Sequence, residues 1–565
     1  MSRLVRWWPL AALTLLAAAL RLSTLNLQSF WYDEAFTPVH VLHPSLIATL
    51  RAVVHTENTP PLWYIVAWAS SRLFGTGEIA LRWPSALAGI ATVPVVWGIG
   101  YELAGRGVSG RRAGLLAAAF VACNPLFFWY SQEARAYALY AFFIALAMLC
   151  CLRADRRPTP QRLALFALSG ALALLSFYFA VFLLIPLALW LLRPRRAARR
   201  GRPAAVGEMR AAPPAAPGEP RKAADRPAPG PTAEVARSPL PQILAVVAAL
   251  AIVGLALLPL ISAQGGHGTQ WIGAWALSSR LETIPHYYLT GYTGAALGHG
   301  IELLVALLIL AGVGYGLWRV LTPQESDGAL LGLAIAACGV LIPVAMALLG
   351  ADYLAPRNLL GAMIPLSAAL AVIVAARRSG RVGLALGGLI AAAFLALSVD
   401  IDLSPRLQRG DWRGLAHIIA ADTPPPPTAT PAASVTRSSA ARLPGASPSR
   451  PMRVSPERAI TTVELGAAPL EYYLPPLHNA PRDSYLRLRE IDETGYTPLR
   501  SGASETPVAG FRPAGYSNVH GLVLYRFVSP VPRVVSEAVL REHVITLAHP
   551  EVLVAGRGRA STGAP

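Results

Sequence analysis

The sequence predicts an all-α polytopic membrane protein of about eleven transmembrane helices, with juxtamembrane helices in the first outer loop and a small C-terminal α/β domain. Three observations lead there. Hydrophobic residues make up 54% of the chain against 14% charged ones, with a mean hydropathy of +0.46, whereas soluble domains carry about a quarter charged residues. Apolar runs of spanning length recur from residue 7 to residue 400. Arg residues collect in short loops between alternate runs, as they do where a multispanning chain fixes its orientation.

The candidate spans are 7–24, 82–104, 113–130, 136–152, 163–176, 178–192, 241–262, 301–320, 328–350, 356–376 and 382–400. The first follows Arg3 and Arg6 and resembles a signal peptide, but with so many spans behind it we read it as an uncleaved helix. The short apolar piece 59–74 opens on "TPPLWY" and reads as a helix lying against the membrane face. Treating it as a crossing would flip the Arg-bearing loop 105–112 to the outside. Without it, the loops 105–112, 153–162, 193–240 and 377–381 all fall on the cytoplasmic side with the N-terminus. The 193–240 loop holds eleven Arg or Lys against four Asp or Glu and is rich in Pro and Ala, which reads as a disordered basic tether.

The opposite, extracytoplasmic side receives 25–81, 131–135, 263–300, 351–355 and everything after 401. Residues 1–400 form the membrane part and 401–422 a connecting helix ("GDWRGLAHIIAAD"). Residues 423–457 are a Pro/Ser/Ala-rich disordered segment, and 458–565 a small domain with a disordered tail. In it "AITTVELG", "LEYYL" and "HGLVLYRFV" read as strands.

The net charge of +18 is accounted for by the loop arginines, so nucleic acid is set aside as a partner. All four cysteines sit in apolar runs and imply no disulfide framework. The eleven histidines all fall on the outer side, without the spacing of a metal cage. No Gly-rich phosphate loop is present.

The chemistry-bearing residues flank the spans on that outer side. "SFWYDEAFTP" carries Asp33 and Glu34, "HTENTPPLWY" carries Glu57, "YSQEARAY" carries Glu133 and Arg135, and "ADYLAPRN" carries Arg357. Charges at membrane depth are costly, which makes such groups functional candidates. Acids and guanidinium groups together suit displacement at a carbon bearing an anionic leaving group. A carboxylate takes the nucleophile's proton, and Arg neutralises a departing phosphate. Asp33 is also a plausible N-cap for a helix starting at Glu34, and Arg82, at the start of a span, reads as an interfacial anchor.

In order, "WYDEA", "TPPLWY", "GTGEIALRWPSALAG", "NPLFFWYSQEARAY", "APRNLLGAMIP" and "DWRGLA" resemble the membrane-embedded glycosyltransferases of the GT-C class. The resemblance is to bacterial members similar to protein O-mannosyltransferases and aminoarabinose transferases, dense over 20–150 and thin to about 415. It implies transfer of a mannose-like or other hexose or pentose from a polyprenyl-phosphate donor, on the outer face, with inversion. The acceptor is a hydroxyl on lipid, glycan or protein. Asp33 is then the first-loop acid and base, with Glu34 beside it as a second catalytic candidate. Glu57, Glu133, Arg135, Arg357, His286 and Tyr287 are the expected substrate-binding residues, with no metal or cofactor assigned. The family often shows a His where this chain has "LSFYFAV", so Phe177 or Tyr178 stands in. The alternatives are an oligosaccharyltransferase with a polyprenyl-pyrophosphate donor and a metal, or a lipid or sugar transporter. Transporters, however, place ionisable groups near the midplane with repeat symmetry.

Overall fold

The computed structural model describes residues 3–193, 240–267, 270–292, 299–318, 321–421, 454–497, 499–543, 545 and 550–555. Apart from its two end residues, the basic loop 193–240 lies outside the described residues, as do the Pro-rich segment up to residue 453 and the tail from 556.

The chain opens with α1 (Arg3–Ser23) and then builds the first outer loop from α2 (Tyr32–Phe36), α3 (Leu46–Thr56) and α4 (Leu62–Phe74). The bundle continues with α5 (Glu78–Leu103), α6 (Gly107–Cys123), α7 (Pro125–Ser131), α8 (Tyr137–Arg156), α9 (Pro160–Ser176) and α10 (Val181–Leu192). After the basic loop come α11 (Leu240–Ala256), α12 (Leu258–Gln264), α13 (Gln270–Ala274), α14 (Leu277–Thr290), α15 (His299–Trp318), α16 (Pro323–Leu348), α17 (Leu360–Val374) and α18 (Gly380–Leu403).

Among the described residues seven helices are long and apolar enough to cross a membrane: Glu78–Leu103, Tyr137–Arg156, Leu240–Gln264, Gly300–Trp318, Pro323–Leu348, Pro356–Val374 and Arg377–Leu403. The pair α6 and α7, bent by 58°, makes an eighth if counted as one span. The chain is thus a multi-pass membrane protein. Three of the expected spans are shorter apolar helices, Trp7–Ser23, Pro160–Ser176 and Tyr178–Leu192, below the roughly 20 residues that a straight crossing needs. By length and composition the count of eleven is therefore not reached. The short piece after "TPP" is α4, and it does not qualify as a span.

Sequence detail explains the breaks that matter. Asn124 ends α6 and its side chain accepts from the backbone N–H of Leu126 and Phe127, starting α7 with Pro125 in its first turn. That bend carries Gln132–Ala136 across the end of the bundle. Small residues let helices approach closely where a hydrophobic drive between them is missing. A Cβ on Gly114 would lie 2.7 Å from the Trp97 carbonyl oxygen, and one on Gly328 only 2.1 Å from that of Leu103. Thr322 and Glu325 form a reciprocal capping box at the start of α16.

Beyond the bundle, α19 (Trp412–Ala421) leads to a six-stranded sheet with one edge helix, α20 (Ala467–Tyr473), and another, α21 (Glu537–Glu542). The strands are β1 (Arg458–Thr462), β2 (Leu477–Asn479), β3 (Tyr485–Tyr496), β4 (Arg512–Val519), β5 (Leu522–Ser536) and β6 (Glu551–Ala555), in the order β2-β6-β1-β3-β5-β4. Only the β1–β3 pairing is parallel. "LEYYL", expected as a strand, lies in α20 and its C-cap. Leu470 and Leu474 are fully buried but Tyr472 between them is only half-buried, whereas a strand would turn all three to one face.

The sheet domain docks on the first outer loop. The Tyr473 hydroxyl donates to Glu78 and accepts from the Phe30 backbone N–H, 2.8 Å away. His40 meets Glu471 at 3.2 Å, Arg413 meets Glu78 at 2.9 Å, and the Trp412 N–H donates to the Ser29 hydroxyl at 3.0 Å. Segments from five parts of the chain, residues 25–37, 57–64, 131–137, 351–359 and 404–412, are thereby gathered at one end of the bundle.

Candidate active site

The stretch from Gln28 to Thr37 enters the end of the bundle as a buried loop and a single helical turn. Its N-cap is Trp31 and no side chain caps it, so Asp33 lies inside the first turn and the N-cap role expected of it falls away. Successive residues on a helix point about 100° apart, and the two neighbouring acids accordingly have different surroundings.

Glu34 faces inward and is fully buried. Arg82 grips it bidentately, Nε to Oε1 at 2.7 Å and Nη2 to Oε2 at 2.6 Å; the Ala134 N–H adds 2.8 Å and Arg409 Nη1 3.2 Å. Burial pushes this carboxyl up, but the Arg82 and Arg409 guanidinium groups outweigh it and hold it below its ordinary value. Both oxygens are thus occupied by protein donors, which corrects the expectation of a catalytic Glu34: its geometry is that of an anchor. Arg82 is corrected with it. Far from being an interfacial anchor, it is buried and also donates to the carbonyls of Leu25, Gln28 and Ser29. It ties the loop before Asp33 to α5.

Asp33 lies on the partly accessible side of the turn. Its Oδ2 lies 2.9 Å from Nη1 of Arg357, across 324 residues of sequence. The two side chains keep 15% and 20% of their surface accessible, while the Glu34–Arg82 pair keeps 0% and 2%. Arg357 sits in a short turn, Pro356–Leu359, that opens α17. The segment before it is pinned by Arg280 of α14, which binds Asp352 bidentately at 2.7 Å for both bonds and the Leu354 carbonyl at 2.9 Å. Those hydrogen bonds hold the Asp352 carboxyl below its usual range. The Arg357 guanidinium lies in electrostatic range of the phenols of Tyr130, Tyr137, Tyr287 and Tyr292.

Glu133 is fully buried, and its Oε2 accepts from Arg409 Nη2 at 2.7 Å while Oε1 has no protein partner. Burial pushes its carboxyl up to about 7, with Arg409 pulling the other way and Glu34 and Asp33 adding repulsion. Arg135 joins Glu57 at 3.2 Å, and the Tyr64 hydroxyl donates to the same Glu57 oxygen. Aromatic rings close the walls. Trp129 stacks on Tyr292 at 5.5 Å between ring centres, and Tyr292 also meets Tyr287 at 5.5 Å and Trp31 at 6.0 Å.

Of the residues singled out from sequence, Asp33, Glu34, Glu57, Glu133, Arg135, Arg357 and Tyr287 come together here. His286 does not. Next to Tyr287 on α14 but turned away, it is half exposed and paired with Glu302 at 3.1 Å. Phe177 packs on Tyr137 at 5.4 Å, and the Tyr178 hydroxyl goes to Gln264 at 2.7 Å. Arg409 was missed, and Arg82 misread. An Arg near the start of a helix opposes the helix dipole, and that was the available signal for a buried acid beside Arg82. Arg409 had no comparable signal.

Asp33, Glu34, Glu57 and Glu133 are thus matched by Arg82, Arg135, Arg357 and Arg409. Among the described residues no group of three or more His, Cys, Asp or Glu is placed to hold a metal ion. A donor set already balanced by guanidinium groups suits a phosphate that displaces a carboxylate better than a divalent cation.

Residues 58–207 match the family model of dolichyl-phosphate-mannose-protein mannosyltransferases. That range is well under half of the chain; it includes Arg82, Glu133 and Arg135 and excludes Asp33, Arg357 and Arg409. No curated protein matches the sequence. Among solved structures, ArnT from Cupriavidus metallidurans bound to undecaprenyl phosphate is similar over 93% of this chain and 98% of its own, at 10% identity and a TM-score of 0.49. The archaeal oligosaccharyltransferase AglB from Archaeoglobus fulgidus, in complex with an inhibitory peptide and a dolichol-phosphate, is similar over 75% of this chain and 59% of its own, at 14% identity and a TM-score of 0.40.

Proposed function

We propose that the chain is an inverting glycosyltransferase that moves a hexose or pentose from a polyprenyl-phosphate donor to an acceptor hydroxyl on the extracytoplasmic face of the membrane. The observation that carries the reading is the Asp33–Arg357 contact of 2.9 Å, in which both side chains stay partly accessible at the end of the bundle. In this reading the N-terminus is cytoplasmic, the sheet domain lies outside, and the acceptor belongs to a lipid, a glycan or a protein.

The donor is a phosphodiester with one negative charge, and its phosphate becomes a monoester with two as the bond to the sugar's anomeric carbon breaks. Arg357 holds those oxygens with several N–H donors, and its attraction grows as the charge develops, so it favours the transition state over the bound donor. Asp33 accepts the proton of the attacking hydroxyl as the new carbon–oxygen bond forms on the opposite face of the sugar. Glu34 holds the turn that carries Asp33. Glu57 and Arg135 pair beside Asp33, and Tyr287 and Tyr292, whose phenols burial pushes up, remain neutral donors for sugar hydroxyls.

An in-line arrangement needs base, nucleophile, anomeric carbon, leaving oxygen and guanidinium in sequence. Hydrogen bonds of about 2.8 Å and a reacting distance of about 3 Å place Asp33 and Arg357 roughly 8–10 Å apart in that state. The pair therefore opens when the donor enters. Phosphate takes the guanidinium, and the carboxylate is released to act as base only when a donor is present.

The test is to incubate purified protein in lipid with radiolabelled polyprenyl-phosphate sugars, follow label into lipid, glycan and protein fractions, and determine the anomeric configuration of donor and product. Transfer with inversion, insensitive to chelators, is expected. Retention would overturn the single-displacement mechanism, and transfer only from a pyrophosphate-linked donor in the presence of metal would replace this reading with the oligosaccharyltransferase one.

A further inference from the structure

The turn that carries Asp33 is held from two sides. Arg82 holds it from α5. The second side is Arg409, in the connector between α18 and α19, the route by which the chain leaves the membrane part for the sheet domain. Its side chain is only 4% accessible and reaches Glu34 at 3.2 Å and Glu133 at 2.7 Å, partners 375 and 276 residues away. The guanidinium lies between two indoles, 4.4 Å from the ring centre of Trp129 and 5.3 Å from that of Trp31. Its backbone N–H donates to Gln28 Oε1 at 2.9 Å, and the next residue's carbonyl accepts from the Ser29 hydroxyl at 3.2 Å.

We infer that Arg409 is a positioning residue for the transfer reaction, through which docking of the C-terminal domain sets the place of Asp33. Trp31, one of the rings against the guanidinium, precedes Asp33 by two residues. Trp129, the other, belongs to α7, and Glu133 to the turn after it. Arg409 therefore fixes the distance between the first outer loop and the second, and the domain that follows it stiffens the same joint through Trp412 and Tyr473. A purely structural pairing of one acid with one Arg would leave this joint free to hinge; one cation shared by two acids and two rings does not. Direct phosphate binding by Arg409 is disfavoured by its burial and by the carboxylates that already occupy both terminal nitrogens. The inference rests on the reading of Asp33 as base.

The experiment compares wild type, Arg409→Gln, Arg409→Lys and Asp33→Asn in lipid nanodiscs. The probe for turnover is whichever radiolabelled undecaprenyl-phosphate hexose or pentose the wild type uses fastest, and binding is read with undecaprenyl phosphate by native mass spectrometry. A base displaced by about 1 Å loses on the order of 100-fold in turnover, and that loss is expected for Arg409→Gln, with undecaprenyl phosphate bound within about twofold of wild type. Arg409→Lys keeps the charge but not the fork and recovers part of it, about tenfold. Normal turnover by folded Arg409→Gln overturns the inference, and so does loss of undecaprenyl phosphate binding with turnover intact at saturation, which would make Arg409 a ligand of the phosphate. If Arg409→Gln does not remain monodisperse, Trp129→Phe carries the test by weakening one stacking face. A turnover loss of about threefold to tenfold supports the inference, and unchanged turnover overturns it. Active Asp33→Asn beside impaired Arg409→Gln would sink the base assignment alone.

Discussion

The two ends of the helical bundle use the same residue types for opposite ends. At the end that carries Asp33, Glu34, Glu57 and Glu133 are 0–4% accessible, and their arginines come from segments 48 to 375 residues away. At the other end Glu102, on α5, is buried as well, but Arg106, Arg153 and Arg156 all converge on it, at 2.9, 3.9 and 2.8 Å, and each remains 39–48% accessible. Acids and arginines balance at the first end, and arginine is in excess at the second. Half-solvated pairs in positive excess are what an interfacial anchor needs. Dry, balanced pairs cost desolvation and define a geometry. The comparison locates the working site by how its charges are paired, since both ends are rich in charge.

The largest expected effect tests that contrast directly. Glu34→Ala strands Arg82 and Arg409 without their shared carboxylate, and breaking a buried pair costs about 3–5 kcal/mol. Thermal unfolding of the detergent-solubilised protein should reveal a large loss, or no folded protein at all. The matching change at the other end, Arg156→Ala, should cost no more than about 1 kcal/mol and shrink further in salt. Equal losses at the two ends would erase the distinction.

A pH comparison sharpens it. The Glu133 carboxyl is raised in the folded state to about 7 from an ordinary 4.5. Its protonated form is favoured by folding, so this contribution to stability is fully present below the unfolded value and lost as pH rises to about 7. Glu133→Gln removes the titration. Between pH 5 and pH 8 wild type should lose more melting temperature than the variant, and parallel profiles would show that Glu133 is ionised throughout. The smallest effect is Tyr64→Phe. It removes one donor from Glu57 but leaves Arg135 in place, for a loss of about 1 kcal/mol in the same unfolding assay.

Much of this was legible in the amino-acid sequence, and the gaps have physical reasons. Apolar runs placed each expected span on a helix, because burial in lipid demands long uninterrupted apolar stretches whatever the packing. What the runs do not encode is whether a short helix crosses, which is why Trp7–Ser23, Pro160–Ser176 and Tyr178–Leu192 stand below spanning length. Asp33, Arg135 and Arg357 were visible because a charge beside an apolar run is conspicuous. Their pairing was not, since nothing local ties residue 33 to residue 357. The roles of the neighbouring acids were the hardest to read. "DE" looks like one feature in a string, yet a single helical turn sends Glu34 into the bundle and leaves Asp33 partly accessible against Arg357. His286 misled for the same reason, standing beside Tyr287 in sequence and facing Glu302 in space.

Exchange of one atom at residue 33 addresses the central claim most directly. Asp33→Asn keeps the size and nearly the shape of the side chain while removing the carboxylate that accepts the proton. Turnover of a polyprenyl-phosphate sugar donor should fall to background in a variant whose melting temperature and affinity for undecaprenyl phosphate stay close to wild type. A folded Asp33→Asn protein that transfers sugar at the normal rate would contradict the account.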